Sequence, residues 1–479
     1  MSLNDLKPAN TKRARATAIK AFNRFLSAES TSLEHVKTLI VADPSRAGGI
    51  LVTLMDKFDV CLAFHAGARG LHLSRHSVAQ YFRRAKCWLL DEYPAQGGAV
   101  ARQLLSLGCT LEQHCLNSES DGIVLKEVAC TKGDLKKITS YLYSTACCAS
   151  EYQDAALLCL LWYLFGRALD MTFVRKQLLT IAADGVYFIH FIRVKTSDEQ
   201  TLLLFPDEDF MTCPLLALAL ALITQESPCA VPLTTLPVQP KDVPVELTDS
   251  IPLLDLLEDS GALDSSQTSK RSTAVHTTPT VAVHALVNRL LDRVVGPAGV
   301  EEPLTSHSFR RDGAQHANAS SELTAQWIFD CGAWNLTTTN KAFAYVFNTP
   351  KEDHQVAKVL SGMAPKQASV LPSLGVFDSA TQEDIRDVSR KLFNASHALG
   401  NKAFNVCAAV RDVLTATIFL HYPSLMKINA QTPAMKTIQR CALAGIWCDD
   451  DEPACLVTTT HQHMMVKPSD QEMKMKAYL

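Results

Sequence analysis

Residues 185–206 read GVYFIHFIRVKTSDEQTLLLFP, two runs of β-branched, aromatic and aliphatic residues around the polar stretch Lys195-Thr196-Ser197-Asp198-Glu199. The first run alternates and the second is short and apolar, so the spacing predicts a β-hairpin with its turn at Lys195 to Glu199. Its flanks have helical character. Upstream, Gln153 to Phe165 is an apolar helix closed by Gly166 and Arg167, and downstream Cys213-Pro214 opens another apolar helix with proline in its first turn. The expected fold class is therefore mainly α with a small antiparallel β-sheet.

Moving outward, residues 1–125 carry Ala, Leu, Lys and Arg at helical spacing, with breaks at Asp43-Pro44, Gly67 to Gly70 and Gly97-Gly98, and read as a helical domain. Within it, LHLSRHSVAQYFRRAKCWLLDEY (71–93) predicts a helix capped by Ser74, its apolar stripe running through Val78, Phe82, Ala85 and Leu89. Arg75, Arg83, Arg84 and Lys86 decorate its other faces. A second domain spans 126–352, interrupted at 227–279 by a stretch rich in Pro, Thr, Ser and Asp that reads as a linker or surface insertion. Helical spacing resumes at VHALVNRLLDRVV, and 353–479 forms a helical C-terminal extension without an interpretable motif.

The chain's 479 residues, 47% hydrophobic and 20% charged, suffice for two or three packed domains. No run of about eighteen uncharged apolar residues occurs, so a soluble protein without a membrane span is expected. The formal charge of −3 is unevenly spread: the first 120 residues hold fifteen Lys and Arg against ten Asp and Glu. That excess permits a polyanionic partner without demanding one. The fifteen cysteines lack regular spacing and read as reduced thiols. Cys441, Cys448, Cys455, His461 and His463 fit none of the short ligand knuckles of zinc sites, and no metal or cofactor is expected.

Metal-free cleavage of a phosphodiester needs a nucleophile, fixed positive donors around the non-bridging oxygens, and a proton donor for the leaving hydroxyl. Residues of each kind occur in order. Arg167 follows a helix and a glycine, with Asp170 three residues on to orient it. Lys195 sits at the hairpin tip. His307 and Arg310, in LTSHSFRRDGAQHAN, are one helical turn apart, and GAWNLTTTNKAFAYVFNTP supplies Trp334 and Tyr345.

This order resembles the catalytic domain of tyrosine recombinases, the phage-integrase family, over roughly Lys132 to Thr349. The family's first arginine motif is matched by Gly166-Arg167-Ala168-Leu169-Asp170, its hairpin lysine by Val194-Lys195-Thr196, and its H-x-x-R box by His307-Ser308-Phe309-Arg310. Trp334 fills the position that takes His or Trp, and the nucleophile falls on Tyr345. KAFAYVFNTPKEDHQVAKVLSG and CPLLAL look most like recombinases of crypton-type eukaryotic mobile elements. Two departures stand out: Trp334 and Tyr345 lie about two residues further apart than in the common bacterial pattern, and residue 311 is Arg where many relatives have His.

The resemblance implies DNA strand cleavage and rejoining through a 3′-phosphotyrosyl link. Arg167 and Arg310 would hold the phosphate, Lys195 would protonate the leaving oxygen, and His307 and Trp334 would assist. It further implies double-stranded DNA as partner, several protomers assembled on it, a nuclear location, and a helical first domain clamping the duplex through Arg75, Arg83, Arg84 and Lys86, with Arg311 adding charge beside the phosphate. The alternative is a recombinase-derived protein that binds DNA without cutting it.

Overall fold

The computed structural model describes residues 9–64, 73–118, 128–182, 185–195, 198–237, 283–334, 350–368, 370–393 and 404–445. They fold into two compact units, 1–126 and 127–479. As expected, the architecture is mainly helical with one small antiparallel sheet. Among the described residues no helix is long and apolar enough to cross a membrane.

The first unit contains α1 (Ala9–Ala28), α2 (Leu33–Ala42), α3 (Ala47–Phe64), α4 (Arg75–Glu92) and α5 (Gly97–Ser118). Ser74 caps α4 by accepting a hydrogen bond from the Ser77 N–H, and Val78, Phe82, Ala85 and Leu89 are the buried stripe together with Trp88. Phe22 from α1 meets Phe58 of α3 edge-on at 5.0 Å and Trp88 at 5.9 Å, so three helices share one aromatic cluster. Each of these rings contributes roughly 2 to 3 kcal/mol by leaving water.

The second unit is built around α7 (Ala149–Tyr163), in which every residue from Tyr152 to Tyr163 is buried. A helix buried on all sides is central to its unit, and its two polar members there are paired, Gln153 with the Ala221 carbonyl and Asp154 with Arg293. It packs against α6 (Lys132–Thr145), α9 (Pro214–Ile223) and α11 (Ser306–Asn318). Between α7 and α9 come the short α8 (Ala168–Met171) and strands β1 (Leu179–Ile181), β2 (Tyr187–Arg193) and β3 (Asp198–Leu204), in the order β1-β2-β3. The hairpin predicted from sequence thus gains a third strand. Its turn is also tighter than expected: Asp198 and Glu199 belong to β3, opposite Arg193 and Ile192.

Further helices complete the unit: α10 (Val283–Val294), α12 (Ala325–Cys331), α13 (Pro350–Leu360), α14 (Ser379–Leu392), α15 (Ala408–Asn429) and α16 (Pro433–Gly445). Val388, Leu414, Ile418, Met435 and Ile438 from the last three lie in the same core as α7 and α9. The described residues after 353 are therefore part of this unit's packing. The Pro- and Thr-rich stretch also begins inside it. Leu233 and Leu236 are buried, and the Thr234 N–H donates to the Gln153 side chain of α7 at 2.8 Å. Residues 238–279 of that stretch lie outside the described residues.

A buried polar knot fastens the edges of α6, α7 and α13. Lys132 Nζ pairs with Asp207 at 2.6 Å and donates to the Leu360 carbonyl at 2.8 Å, while the Tyr163 hydroxyl donates to the same Asp207. Each partner leaves another's charge or dipole satisfied, so losing one exposes the rest to a desolvation cost.

Candidate active site

The site begins where α7 ends. Phe165 adopts φ 44°, the left-handed conformation that closes a helix, and the Gly166 N–H returns to the Leu161 carbonyl at 3.0 Å. Glycine is the usual occupant of such a position, and a non-glycine residue costs about 1 kcal/mol or more there. Phe165 is retained by its ring, buried in the core and facing α11 across Gly313. A Cβ at Gly313 would stand 2.9 Å from that ring and 2.5 Å from the Trp162 carbonyl. Glycine at 313 therefore lets the helix bearing His307 and Arg310 close onto the end of α7.

With Phe165 so turned, its carbonyl accepts from both Arg193 Nη1, at 3.0 Å, and Arg310 Nη1. Arg310 Nη2 donates to the Gly332 carbonyl, and its guanidinium lies 4.4 Å from the Trp334 ring centroid. Arg193 is wholly buried and reaches the carbonyls of Leu164 and Cys331, the Gln200 side chain and Asp170. Arg167 completes the group, its Nη1 4.0 Å from Asp170 Oδ2.

Asp170 is the hub. It is fully buried; its Oδ2 accepts from the Arg167 main-chain N–H and from Arg193 Nη1, both at 3.2 Å, and its Oδ1 accepts from the Val194 N–H at 3.1 Å. The carboxylate thereby ties the start of α8 to the end of β2, one residue before Lys195, which is exposed. Three guanidiniums gathered near one carboxylate leave an excess of positive charge. Burial and the neighbouring charges of Arg167 and Arg193 push Arg310 down to about 9, against the opposing pull of Asp170. Arg193 is lowered by burial as well, with Asp170 opposing. Arg167 Nη1 is buried and has no hydrogen-bond acceptor among the described residues. The arrangement suits an anion with several oxygens, which would accept from the forked donors and relieve the mutual repulsion.

At the N-terminal end of α11, His307 is exposed and stacks on His284 of α10 at 5.7 Å. Burial and His307 lower the His284 pKa, and Asp170 acts on it in the opposite sense, so the imidazole pair shares the electrostatic neighbourhood of the arginines. Arg311 is half-buried. Trp334 is placed by a tight reversal after α12: Ala333 has φ 48°, the Trp334 N–H returns to the Phe329 carbonyl at 2.9 Å, and a Cβ at Gly332 would collide with the indole at 2.0 Å.

Of the expected site residues, Arg167, Asp170, Arg310 and Trp334 are joined by direct contacts or shared acceptors. Lys195 and His307 stand on elements anchored to that cluster. Tyr345 lies outside the described residues. Sequence reading missed Arg193, Gln200 and His284. Arg193 had a signal: it follows Tyr187, Ile189 and Phe191 at the two-residue period of a strand face, which points it inward with them.

In the first unit, Arg75, Arg84 and Lys86 are half-buried along α4, and Arg83 is exposed and 3.7 Å from Glu112 of α5. Of the thiol and imidazole group weighed as a metal site, Cys441 is buried in α16 and Cys448, Cys455, His461 and His463 lie outside the described residues. Cys147, Cys148 and Glu151 bring donor atoms within 4.8 Å of one another on the surface. There the Glu151 carboxylate accepts from the Cys147 and Cys148 N–H groups at 2.5 and 3.1 Å, which accounts for its position as a helix cap.

No family model matches the chain. A phosphatidylethanolamine N-methyltransferase of Candida dubliniensis is 29% identical over 119 residues, which span 24% of this chain and only 13% of that protein's length. Among solved structures, a complex of FLP recombinase with a Holliday junction aligns over 80% of this chain and 96% of its own, at 13% identity and a TM-score of 0.35. That score is too low to carry a shared fold, and the architecture stands on the elements described above.

Proposed function

We propose that the second unit cuts and rejoins DNA strands, with Tyr345 attacking a phosphodiester to give a 3′-phosphotyrosyl link and a free 5′-hydroxyl. The observation that carries this reading is the excess of guanidinium around Asp170, together with the buried Arg167 Nη1 that has no hydrogen-bond acceptor among the described residues. A phosphate is the anion whose non-bridging oxygens match two forked donors, and the same donors stabilise the charge that builds in a pentavalent transition state. Arg167 and Arg310 are assigned to those oxygens and Arg193 to holding them in place. Lys195, exposed beside the Asp170-anchored end of β2, is assigned to protonating the leaving oxygen, and His307 to a hydrogen bond with the phosphate or to deprotonating Tyr345.

Trp334, against Arg310, is assigned to packing the site and donating its indole N–H to a phosphate oxygen. Tyr345 is tethered by five residues to Pro350, the first residue of α13, a reach of at most about 18 Å. Three residues further on, Asp353 accepts from the Cys331 thiol at 3.1 Å, and the Cys331 carbonyl is itself an acceptor for Arg193. The phosphotyrosyl bond conserves the energy of the bond it replaces, so rejoining needs no nucleotide. The reading extends to double-stranded DNA as substrate, several protomers on paired sites, a nuclear location, and integration or excision of a crypton-type mobile element. The first unit would hold the duplex, with Arg75, Arg83, Arg84 and Lys86 as contacts and Arg311 beside the phosphate.

One observation favours a second reading, a recombinase-derived protein that binds DNA without cutting it. Both hydrogen bonds described for Arg310 end on main-chain carbonyls, those of Phe165 and Gly332, as a purely structural arginine's would. Nicked duplexes tiled across the DNA flanking the gene separate the two. Loss of the short fragment beyond the nick traps a covalent complex if the chain cuts. DNA binding without any adduct supports the second reading instead.

A further inference from the structure

Helix α1, ANTKRARATAIKAFNRFLSA, contains Lys12, Arg13, Arg15, Lys20 and Arg24 and no acidic residue in 20 positions. Its inner face is fixed: Ala18, Phe22, Phe25 and Leu26 are buried in the first unit's core, and Arg15 is pinned to Asp91 of α4 at 2.8 Å. On the outer face Arg13, Thr17, Lys20 and Arg24 recur at intervals of four, three and four, which aligns them along one side, and all four are exposed. Ala16 and Ala21 lie among them. The Thr17 hydroxyl folds back to the Arg13 carbonyl at 2.9 Å and the Ser27 hydroxyl to the Asn23 carbonyl at 3.0 Å, so neither stands above the ridge. Arg13, Lys20 and Arg24 make no ion pair among the described residues, whereas on α4 Arg83 is engaged by Glu112 and Lys86 lies over the Phe82 ring at 5.9 Å.

We propose that this ridge of α1 is a docking surface for the sugar-phosphate backbone of duplex DNA, supplying about three phosphate contacts that α4 does not. The inference rests on the DNA-directed reading above and deepens it by naming the face of the first unit that meets the duplex. At a rise of about 1.5 Å per residue the three cations span roughly 16 Å, a length that lies along one stretch of backbone. A rigid, acid-free row of cations neutralises successive phosphates and releases their counterions. It fixes position on the duplex without reading sequence.

The test is binding of the full chain to a fluorescent duplex across a salt series, comparing wild type with the triple variant Arg13→Gln, Lys20→Gln, Arg24→Gln and with Arg83→Gln, Arg84→Gln, Lys86→Gln. Glutamine is a good helix former on exposed positions, and a circular dichroism spectrum and melting temperature close to wild type confirm the fold. The α1 variant is expected to lower the slope of log affinity against log salt by about 2.7, at about 0.9 per contact, and the α4 variant to lower it by less. An unchanged slope in an α1 variant that still forms the covalent adduct overturns the ridge and leaves the catalytic reading intact. A wild-type chain without salt-dependent duplex affinity overturns both. Binding of phosphatidylserine vesicles through the ridge, with duplex affinity unaffected by the three substitutions, also overturns it.

Discussion

Arg193 and Arg310 donate to the same oxygen, the carbonyl of Phe165. One strand and one helix, separated by more than a hundred residues in sequence, thereby converge on the left-handed residue that ends α7. The carbonyl is a fixed dipole that cannot be titrated or rotated away, so it holds two like charges side by side while Asp170 offsets part of their repulsion. It is to this group of three guanidiniums that the proposed phosphate contacts are assigned.

Replacing Arg193 tests the scaffold beneath the site. Arg193→Met removes the guanidinium donor from the Leu164 carbonyl and one donor each from the Cys331 carbonyl and the Asp170 carboxylate, and breaking a buried, hydrogen-bonded pair costs about 3 to 5 kcal/mol. The urea midpoint of the second unit is expected to fall accordingly, while hydrogen exchange in the first unit stays unchanged. A midpoint within error of wild type contradicts the role given to this residue.

The two close approaches at Gly313 and Gly332 are expected to be intolerant of a methyl group. At Gly313 the obstacle is the Trp162 carbonyl, which is backbone and cannot yield cheaply; at Gly332 it is the indole of Trp334. Gly313→Ala should cost about 1 to 3 kcal/mol by forcing α11 away from α7. Gly332→Ala should displace Trp334 with less loss of stability and with reduced adduct formation. Intrinsic fluorescence and unfolding curves of the two variants read these effects separately.

The positive excess at Asp170 has an equilibrium signature. An anion that binds only the folded state raises its stability by RT ln(1 + [L]/Kd), about 1.4 kcal/mol at tenfold over Kd. Pyrophosphate at constant ionic strength should raise the melting temperature of the second unit, and Arg310→Gln should abolish the rise. An equal rise in the variant assigns the effect to general salt exclusion instead.

Asp59 of α3 gives a pH prediction for the first unit. It is 7% exposed, and burial, reinforced by Asp56, raises its carboxyl to about 7. The folded-state pKa lies above the unfolded value near 3.8, so the side chain costs nothing below that pH, and stability is lost as pH rises from there through 7. Asp59→Asn is therefore expected to stabilise the first unit on the order of 2 kcal/mol at neutral pH and by nothing near pH 4. Hydrogen exchange of α3 at the two pH values measures the difference.

How much of this was legible beforehand follows from what kind of signal each element carries. The hairpin, the capped α4 with its stripe, and the apolar α7 and α9 are local patterns, and the chain forms each of them, with the turn and helix ends shifted by a few residues. Arg193 shares the two-residue spacing of Tyr187, Ile189 and Phe191 that marks the inward face, but a charged residue next to a polar turn reads as solvent-facing, which masks that signal. His284 was hidden because its partner, His307, comes from another helix. The packing of α14, α15 and α16 into the second unit's core was invisible for the same reason: their apolar faces are evident, but the surface they cover is set by tertiary contact.

Whether Tyr345 is the nucleophile is decided by identifying the amino acid linked to DNA. Wild-type chain is trapped on nicked duplexes drawn from the DNA flanking its gene, digested with protease and nuclease, and the nucleotide-bearing peptide is sequenced by mass spectrometry. One modified residue, Tyr345, is expected, with no adduct from Tyr345→Phe. A linkage on any other residue, or an adduct that survives in Tyr345→Phe, contradicts this assignment.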